Sequence, residues 1–416
     1  MRKEPPSVPN HCSFCDKSRE EAMKLIVSGS NAICDECVIL CGNLLTEQHN
    51  VAVKKNRKSQ RHINPIKIKQ FLDERVIGQE LAKMTLSVAV ANHFKRLFFK
   101  SQVRVEKSNV LLLGPTGSGK TLLAKSIAEY LNIPIVIADV TGLTEAGYVG
   151  DDVESIISRL LFEANGDVEL AQQGIVFLDE IDKIGRKNEG GNANRDIGGE
   201  GVQQGLLKLV EGTIMSVPAE GPKKHPGSTV VDIDTTNILF VASGAFTGMQ
   251  EIADRRHKAS TIGFGSTDAV NRQHGVTSDD LIKFGMISEF VGRFPVTVTT
   301  QALTEAELVQ VLTQPQHNLI QQYKFYFEVD GVEAEFTTEA LTAIARSAIA
   351  QKTGARALRG ILEQKLMPHL FALPKYKQDN VSKILFTAEV FSADTEPVIT
   401  YKQVSSKNSK KVIKSK

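Results

Sequence analysis

The most constraining stretch of this 416-residue chain is Val110-Leu-Leu-Leu-Gly-Pro-Thr-Gly-Ser-Gly-Lys-Thr121. Four consecutive apolar residues predict a short buried strand. Three glycines follow, then Lys120 and Thr121, and the spacing of Leu122, Leu123, Ile127, Ala128 and Leu131 predicts a helix. A strand, a loop of the form G-x-x-x-x-G-K-T and a helix make a phosphate-binding loop. The glycines let backbone N–H groups turn inward around phosphate oxygens, and the helix N-terminus adds partial positive charge. Lys120 offers a point charge to the phosphates, and the Thr121 hydroxyl is placed to ligate Mg²⁺. The expected nucleotide contacts here are Gly114, Pro115, Thr116, Gly117, Ser118, Gly119, Lys120, Thr121 and Leu122.

Length argues for two or three domains. A net charge of +2 argues against bulk attraction to nucleic acid or a membrane surface and leaves room for local patches. No apolar run reaches the roughly 18 residues of a membrane span, and the polar start Met1-Arg-Lys-Glu-Pro-Pro-Ser lacks a signal-peptide core. All five cysteines precede residue 42, unlike a secreted disulfide framework. The expectation is a cytoplasmic protein.

Cys12-x-x-Cys15 and Cys34-x-x-Cys37 are separated by 18 residues, a spacing that fits a Cys₄ zinc site. Four thiolates close a tetrahedron and leave no open position, so the metal is expected to be structural. A module this small cannot bury enough core alone, and zinc binding, worth about 10–16 kcal/mol in small zinc peptides, would supply the stability. Cys41 falls outside the tetrad and is expected to be a small buried side chain. Lys17, Arg19 and Lys24 are the only positive charges between the ligand pairs, a thin footprint for nucleic acid. Residues 51–63 are basic and polar without apolar periodicity, and read as a flexible linker.

Residues 65–97 read as helical around a break at Val76-Ile-Gly-Gln79, and 133–138 as a strand. A helix is expected from Asp151, with Val153, Ile156, Ile157, Leu160 and Leu161 apolar. Ile175-Val-Phe-Leu-Asp-Glu180 reads as a buried strand delivering two carboxylates, 59 residues after Lys120. Asp179 suits the Mg²⁺ water shell, and Glu180 suits polarising the attacking water. A strand over 237–242 leads to Ser243, a polar side chain able to sense a γ-phosphate. Strands alternating with helices give a parallel α/β sheet with the nucleotide at its strand ends. Thr304-Glu-Ala-Glu307 is a capping box opening a helix to about Phe325. Helices follow over 338–350, with Leu341, Ile344, Ala345, Ala348 and Ile349 on one face, and over 356–370, with short strands at 381–386 and 398–404. The lysine-rich end reads as a solvated tail.

The zinc tetrad, the phosphate loop, Gly147-Tyr-Val-Gly150, Asp179-Glu-Ile-Asp182, Ile262-Gly-Phe264, Gly292-Arg293 and Gly354-Ala-Arg356 occur in one order. Together they resemble the ClpX family, ATP-dependent unfoldases of the AAA+ class that feed the ClpP peptidase, over roughly residues 11–400. The resemblance implies an α/β AAA+ P-loop fold: an N-terminal Cys₄ zinc domain (1–50), a linker (51–63), a large ATPase domain (64–300), a small, mainly helical α+β domain (301–402) and a basic tail (403–416). It implies that Val76 and Ile77 contact adenine. Arg293 matches the arginine finger that completes a neighbouring subunit's ATP site, and Arg356 the sensor-2 arginine of its own. Tyr148 and Val149 match the pore loop that grips polypeptide, and residues 188–201 a second pore loop. Lys223-Lys224-His225 stands where the family carries Arg-Lys-His at the pore entrance, and Ser243-Gly244-Ala245 departs from Gly-Gly-Ala. Ile262, Gly263 and Phe264 match the loop that docks on the peptidase. The implied cofactors are ATP, Mg²⁺ and Zn²⁺. The implied partners are five further copies in a hexamer, the ClpP peptidase, tagged substrates, and adaptors met by a zinc domain able to dimerise. Two other classes share the phosphate loop. Near-neutral charge and an aromatic pore loop count against a helicase or clamp loader, while Arg293 and Glu180 count against a zinc adaptor that does no mechanical work.

Overall fold

The computed structural model describes residues 9–42, 63–99, 103, 105–131, 133–144, 151–185, 199–219, 229–260, 275–316, 318–393 and 395–402. The chain divides into two compact units, Met1–Ile63 and Asn64–Lys416. In the first, antiparallel strands Leu25–Ser28 and Asn31–Cys34 form a hairpin. Its core is Cys12, Cys34 and Cys37, with Ala22, Leu25 and Ile33 packed against them.

The second unit is organised by a five-stranded sheet: β1 (Val110–Leu113), β2 (Ile135–Asp139), β3 (Ile175–Asp179), β4 (Leu239–Gly244) and β5 (Val296–Thr299). The order is β5-β1-β4-β3-β2, and every neighbouring pair is parallel. Parallel strands covered on both faces read as unbroken apolar runs; accordingly all of β1 and β4 is buried. Helices α1 (Pro65–Asp73) and α2 (Glu80–Phe98) precede the sheet, and α3 (Lys120–Leu131) starts at the end of the phosphate loop. β1 sits between β5 and β4 rather than beside β2, so the chain turns outward on both sides of it. A crevice at the carboxyl ends of the strands is expected at such a switch point.

A second core gathers Leu308, Phe327, Ile344, Leu358, Leu362 and Phe386 from the segment after β5. It is built from α4 (Glu305–Thr313), α5 (Leu319–Val329), α6 (Thr338–Ala350), α7 (Ala355–Phe371) and a three-stranded sheet of Glu333–Phe336, Val381–Phe386 and Val398–Tyr401. Among the described residues no helix is long and apolar enough to cross a membrane.

Four local expectations need correction. The helix foreseen from Asp151 begins at Ser155, because Asp151–Asp152 pairs as a short strand with Leu143–Thr144. The single helix foreseen over 304–325 is two helices: α4 opens on the Thr304–Glu307 capping box, α5 is capped anew by Asn318, and Pro315 lies between them. Proline removes a donor and clashes with the preceding turn. Ile349 is 45% exposed rather than on the buried face of α6. Cys41 is only partly buried.

Candidate functional site

The phosphate loop leaves β1 at Gly114, whose φ is +145°, and a Cβ there would overlap the hydroxyl and carbonyl of Thr300. Gly117, at φ +78°, meets the carbonyl of Thr353, just before α7, in the same way. At both loop positions close backbone approach requires glycine. The Ala355 amide donates to the Gly117 carbonyl at 3.3 Å, so the loop touches the start of α7. The Lys120 ammonium is buried and donates to the carbonyls of Gly114 (2.7 Å) and Pro115 (2.9 Å). Burial pushes its pKa down and Arg356 adds to this, while Asp179 and Asp182 oppose it. A phosphate would offer that ammonium stronger, charged acceptors.

β3 delivers Asp179 to the floor of the loop. Thr121 Oγ1 donates to Asp179 Oδ2 at 2.6 Å, Ser243 Oγ donates to Oδ1 at 2.6 Å, and the Glu180 amide donates to Oδ1 at 3.0 Å. One carboxylate thus ties the start of α3 to the ends of β3 and β4. Glu180 has φ +58°, a left-handed conformation that costs a non-glycine residue about 1 kcal/mol and is characteristic of functional turns. A cavity of about 530 Å³ opens here, walled by Lys120, Thr121, Asp179, Glu180, Asp182 and Arg356. Two of the expected Mg²⁺-side groups, Thr121 and Asp179, are in direct contact, and their oxygens are the hard donors that Mg²⁺ takes.

On the other side of the same loop lies a cavity of about 550 Å³, which shares Gly117, Gly119, Leu122 and Ala355 with the first. Val76 and Ile77 form one wall, and Leu303, Val311 and Leu319 of the C-terminal part face them. An apolar slot beside a phosphate site suits a purine base. The Val76 carbonyl accepts from the buried Lys83 ammonium at 3.2 Å, which also pairs with Asp73 (2.6 Å) and Glu80 (2.9 Å). Gln79, at φ +59°, makes two hydrogen bonds to one residue beyond β5: its Nε2 donates to the Gln301 carbonyl (2.8 Å) and its Oε1 accepts from the Gln301 amide (2.9 Å).

Arg293 lines neither cavity. Its guanidinium pairs with Glu211 through Nη2 (2.6 Å) and Nε (2.9 Å), and it is 54% exposed. Buried Asn109 holds it from behind, donating to the Arg293 carbonyl at 2.8 Å while accepting from the Phe240 amide of β4 at 3.1 Å.

In the N-terminal unit the sulfurs of Cys12, Cys15, Cys34 and Cys37 lie within 4.8 Å of one another. Burial opposes ionisation of Cys12, but N–H groups of Phe14, Cys15 and Cys34 outweigh it and bring this thiol down to about 6. Four converging sulfurs supported by backbone donors fit a closed tetrahedral zinc site.

Other expected site residues lie outside the described residues. Tyr148 and Val149 fall between the paired strands Leu143–Thr144 and Asp151–Asp152. Lys223, Lys224 and His225 fall between the antiparallel strands Ile214–Pro218 and Val230–Asp234, which the sequence reading did not foresee. Ile262, Gly263 and Phe264 fall between helices Met249–Ser260 and Ser278–Phe284. The sequence reading gave no role to Asp182, Lys83, Gln79, Asn109 or Thr300. Gln79 sits in the helix break after Val76-Ile-Gly, and Lys83 binds partners three to ten residues away; Asp182, Asn109 and Thr300 act through neighbours distant in sequence.

Comparison with known proteins agrees with this arrangement. Residues 10–47 match the family described as the ClpX C4-type zinc finger, 105–297 the AAA domain (Cdc48 subfamily), and 303–382 the C-terminal, D2-small domain of ClpB protein. The "ATP-dependent Clp protease ATP-binding subunit ClpX" of Treponema denticola is 47% identical over 378 residues, covering 88% of this chain and 90% of its own. Nearly half of the residues shared along 88% of the length is far more than a common fold requires, and the chain belongs to the ClpX family of AAA+ proteins.

Proposed function

We propose that this chain is the ATP-binding subunit of a Clp-type protease, a hexameric unfoldase that pulls tagged proteins through a central pore into a ClpP peptidase. The observation that carries this reading is the construction of the nucleotide site from both parts of the second unit. Arg356 of α7, Asp179 at the end of β3 and the adjoining Glu180 wall one cavity, and Leu303 and Leu319 face Val76 and Ile77 across the other. A ligand contacting both parts favours particular angles between them, and its hydrolysis removes that preference. In the proposed division of labour, Lys120 holds phosphate oxygens, Thr121 and Asp179 hold Mg²⁺, Glu180 polarises water, Ser243 reports γ-phosphate loss through Asp179, and Arg356 neutralises charge from the C-terminal part. Mg²⁺ supplies charge neutralisation on the phosphates. Arg293, exposed and outside its own cavities, suits service to a neighbouring subunit. Family membership supports the gripping role of Tyr148 and Val149, the entrance role of Lys223, Lys224 and His225, and docking by Ile262, Gly263 and Phe264. It also supports the division into 1–50, 51–63, 64–300, 301–402 and 403–416, and a cytoplasmic location. One docking loop buries too little apolar area for tight binding, but several copies in a ring add avidity.

The test is incubation of the full chain, ATP and Mg²⁺ with a stably folded, C-terminally tagged fluorescent protein. ATP-dependent loss of native fluorescence is expected. Persistent fluorescence alongside normal ATP hydrolysis would overturn the unfoldase reading.

A further inference from the structure

A third cavity, of about 580 Å³, shares no lining residue with the two nucleotide cavities. Its walls come from the C-terminal turns of α2, from residues leading into β1, and from Leu239 at the start of β4. Among the described residues, Lys95, Arg96 and Lys107 line it against a single carboxylate, Glu106. Among the described residues none of the three cations makes an ion pair. Arg96 donates only to the Asn237 carbonyl (3.2 Å), and its buried Nε has no partner. Lys107 lies against the carbonyls of Thr235 (3.3 Å) and Ile238 (3.5 Å), with its ammonium 5.0 Å from the Phe240 ring centre. Charges this poorly compensated repel one another. Burial pushes Lys107 down to about 8, and Arg96 and Arg293 press it further, against Asp234.

A buried histidine narrows the ligand. His93 is 96% buried, since only 4% of its surface is exposed. Its Nε2 faces the Gln173 carbonyl at 3.1 Å. A carbonyl only accepts, so Nε2 carries the proton and Nδ1 is a lone-pair acceptor. Nδ1 is buried and has no partner. Burial keeps this ring neutral, its pKa pushed down to about 4. Surplus cations beside a buried neutral acceptor that has no partner call for an anion that also carries an O–H. Hydrogen phosphate and a singly protonated phosphomonoester have both features, whereas sulfate and carboxylates at neutral pH lack the O–H.

We propose that this cavity is a binding site for a phosphate group, with Arg96 and Lys107 contacting its oxygens and His93 Nδ1 accepting its O–H. Occupancy would be felt by the nucleotide site through β4. Lys107 braces the entry of that strand, Asn109 joins the strand to the Arg293 carbonyl, and Ser243 lies near its far end.

The experiment uses the full-length protein with its nucleotide site saturated by a non-hydrolysable ATP analogue. Inorganic phosphate, glycerol phosphate and sulfate are titrated separately by calorimetry, on the parent and on Arg96→Gln and Lys107→Met. One saturable site per chain for phosphate or glycerol phosphate is expected, with weaker sulfate binding. Each substitution removes a charged contact and is expected to weaken phosphate binding about tenfold or more, with affinity for the ATP analogue unchanged. Whichever of phosphate and glycerol phosphate binds more tightly identifies the free or the esterified form as the natural source; saturable binding by either supports the site. No saturable binding, equal binding by both variants and the parent, or sulfate binding as tight as phosphate would overturn the proposal. Both substituted side chains are partly buried but lie outside the nucleotide cavities, so retained ATP-analogue binding separates loss of this site from misfolding.

Discussion

At the scale of single residues, Asp179 and Glu180 are neighbours with different environments. Asp179 accepts three hydrogen bonds from Thr121, Ser243 and the Glu180 amide, so its position is over-determined. Glu180 stands at φ +58° at the cavity wall, held out of the strand conformation by the short helical turn Ile181–Ile184 that follows. That contrast suits a fixed metal-side carboxylate beside a base free to meet water. Glu180→Gln is expected to bind ATP with near-parental affinity and to hydrolyse it about 10²–10⁴-fold more slowly, because only the proton acceptor is lost. Single-turnover hydrolysis with ATP binding measured in parallel checks this, and near-parental turnover would remove Glu180 from the chemistry.

Among elements, the break between α1 and α2 does more than end a helix. Its first residues wall the base cavity, and Gly78 packs so closely on Glu307 that a Cβ would lie 2.6 Å from the Glu307 carboxylate. Gln79 then joins the break to the backbone of Gln301, between β5 and α4. One wall of the proposed base cavity and the link between the two parts are therefore supplied by four consecutive residues. Gln79→Ala removes two solvent-accessible hydrogen bonds and is expected to lower stability by about 1–2 kcal/mol. It is also expected to reduce protein unfolded per ATP consumed more than it reduces ATP hydrolysis. Gln79→Glu keeps the acceptor for the Gln301 amide and should fall between. Denaturant titration and paired ATPase and unfolding assays measure these effects, and unchanged coupling in Gln79→Ala would show that the contact is only structural.

For the whole molecule, the two units differ in what holds them together. The second has two extensive apolar cores, whereas the first has three cysteines and three partly buried neighbours. Exposed Met23 and Phe14 cannot help the first, since they face solvent. Metal should therefore carry its folding. A chelator, or Cys34→Ser in the full chain, is expected to release one Zn²⁺ per chain and unfold the N-terminal unit, with the main thermal transition of the second unit unchanged. Metal analysis and calorimetry report both quantities. A native N-terminal unit after metal loss would refute the structural-zinc assignment.

Local chemistry was legible from the chain alone wherever function depends on residues adjacent in sequence. The phosphate loop, the Asp179-Glu180 pair at the end of an apolar strand and the paired C-x-x-C knuckles each carry their geometry in a few positions, because turns, buried strands and metal knuckles are short-range structures. The alternation of β and α segments likewise implied a parallel sheet. Tertiary structure decided the rest, since it depends on contacts between residues far apart in the chain. Only folding brings Ser243 and Thr121 onto opposite oxygens of Asp179, sets Arg356 and Glu180 on the wall of one cavity, and hooks Gln79 onto Gln301. The same holds for the pairing that delayed the helix at Ser155, and for the cationic cavity of Arg96 and Lys107, residues that in sequence resemble any solvated basic stretch. Periodicity shows which face of a segment is apolar; what that face and its charged neighbours meet is settled only when the sheet and the two cores are assembled.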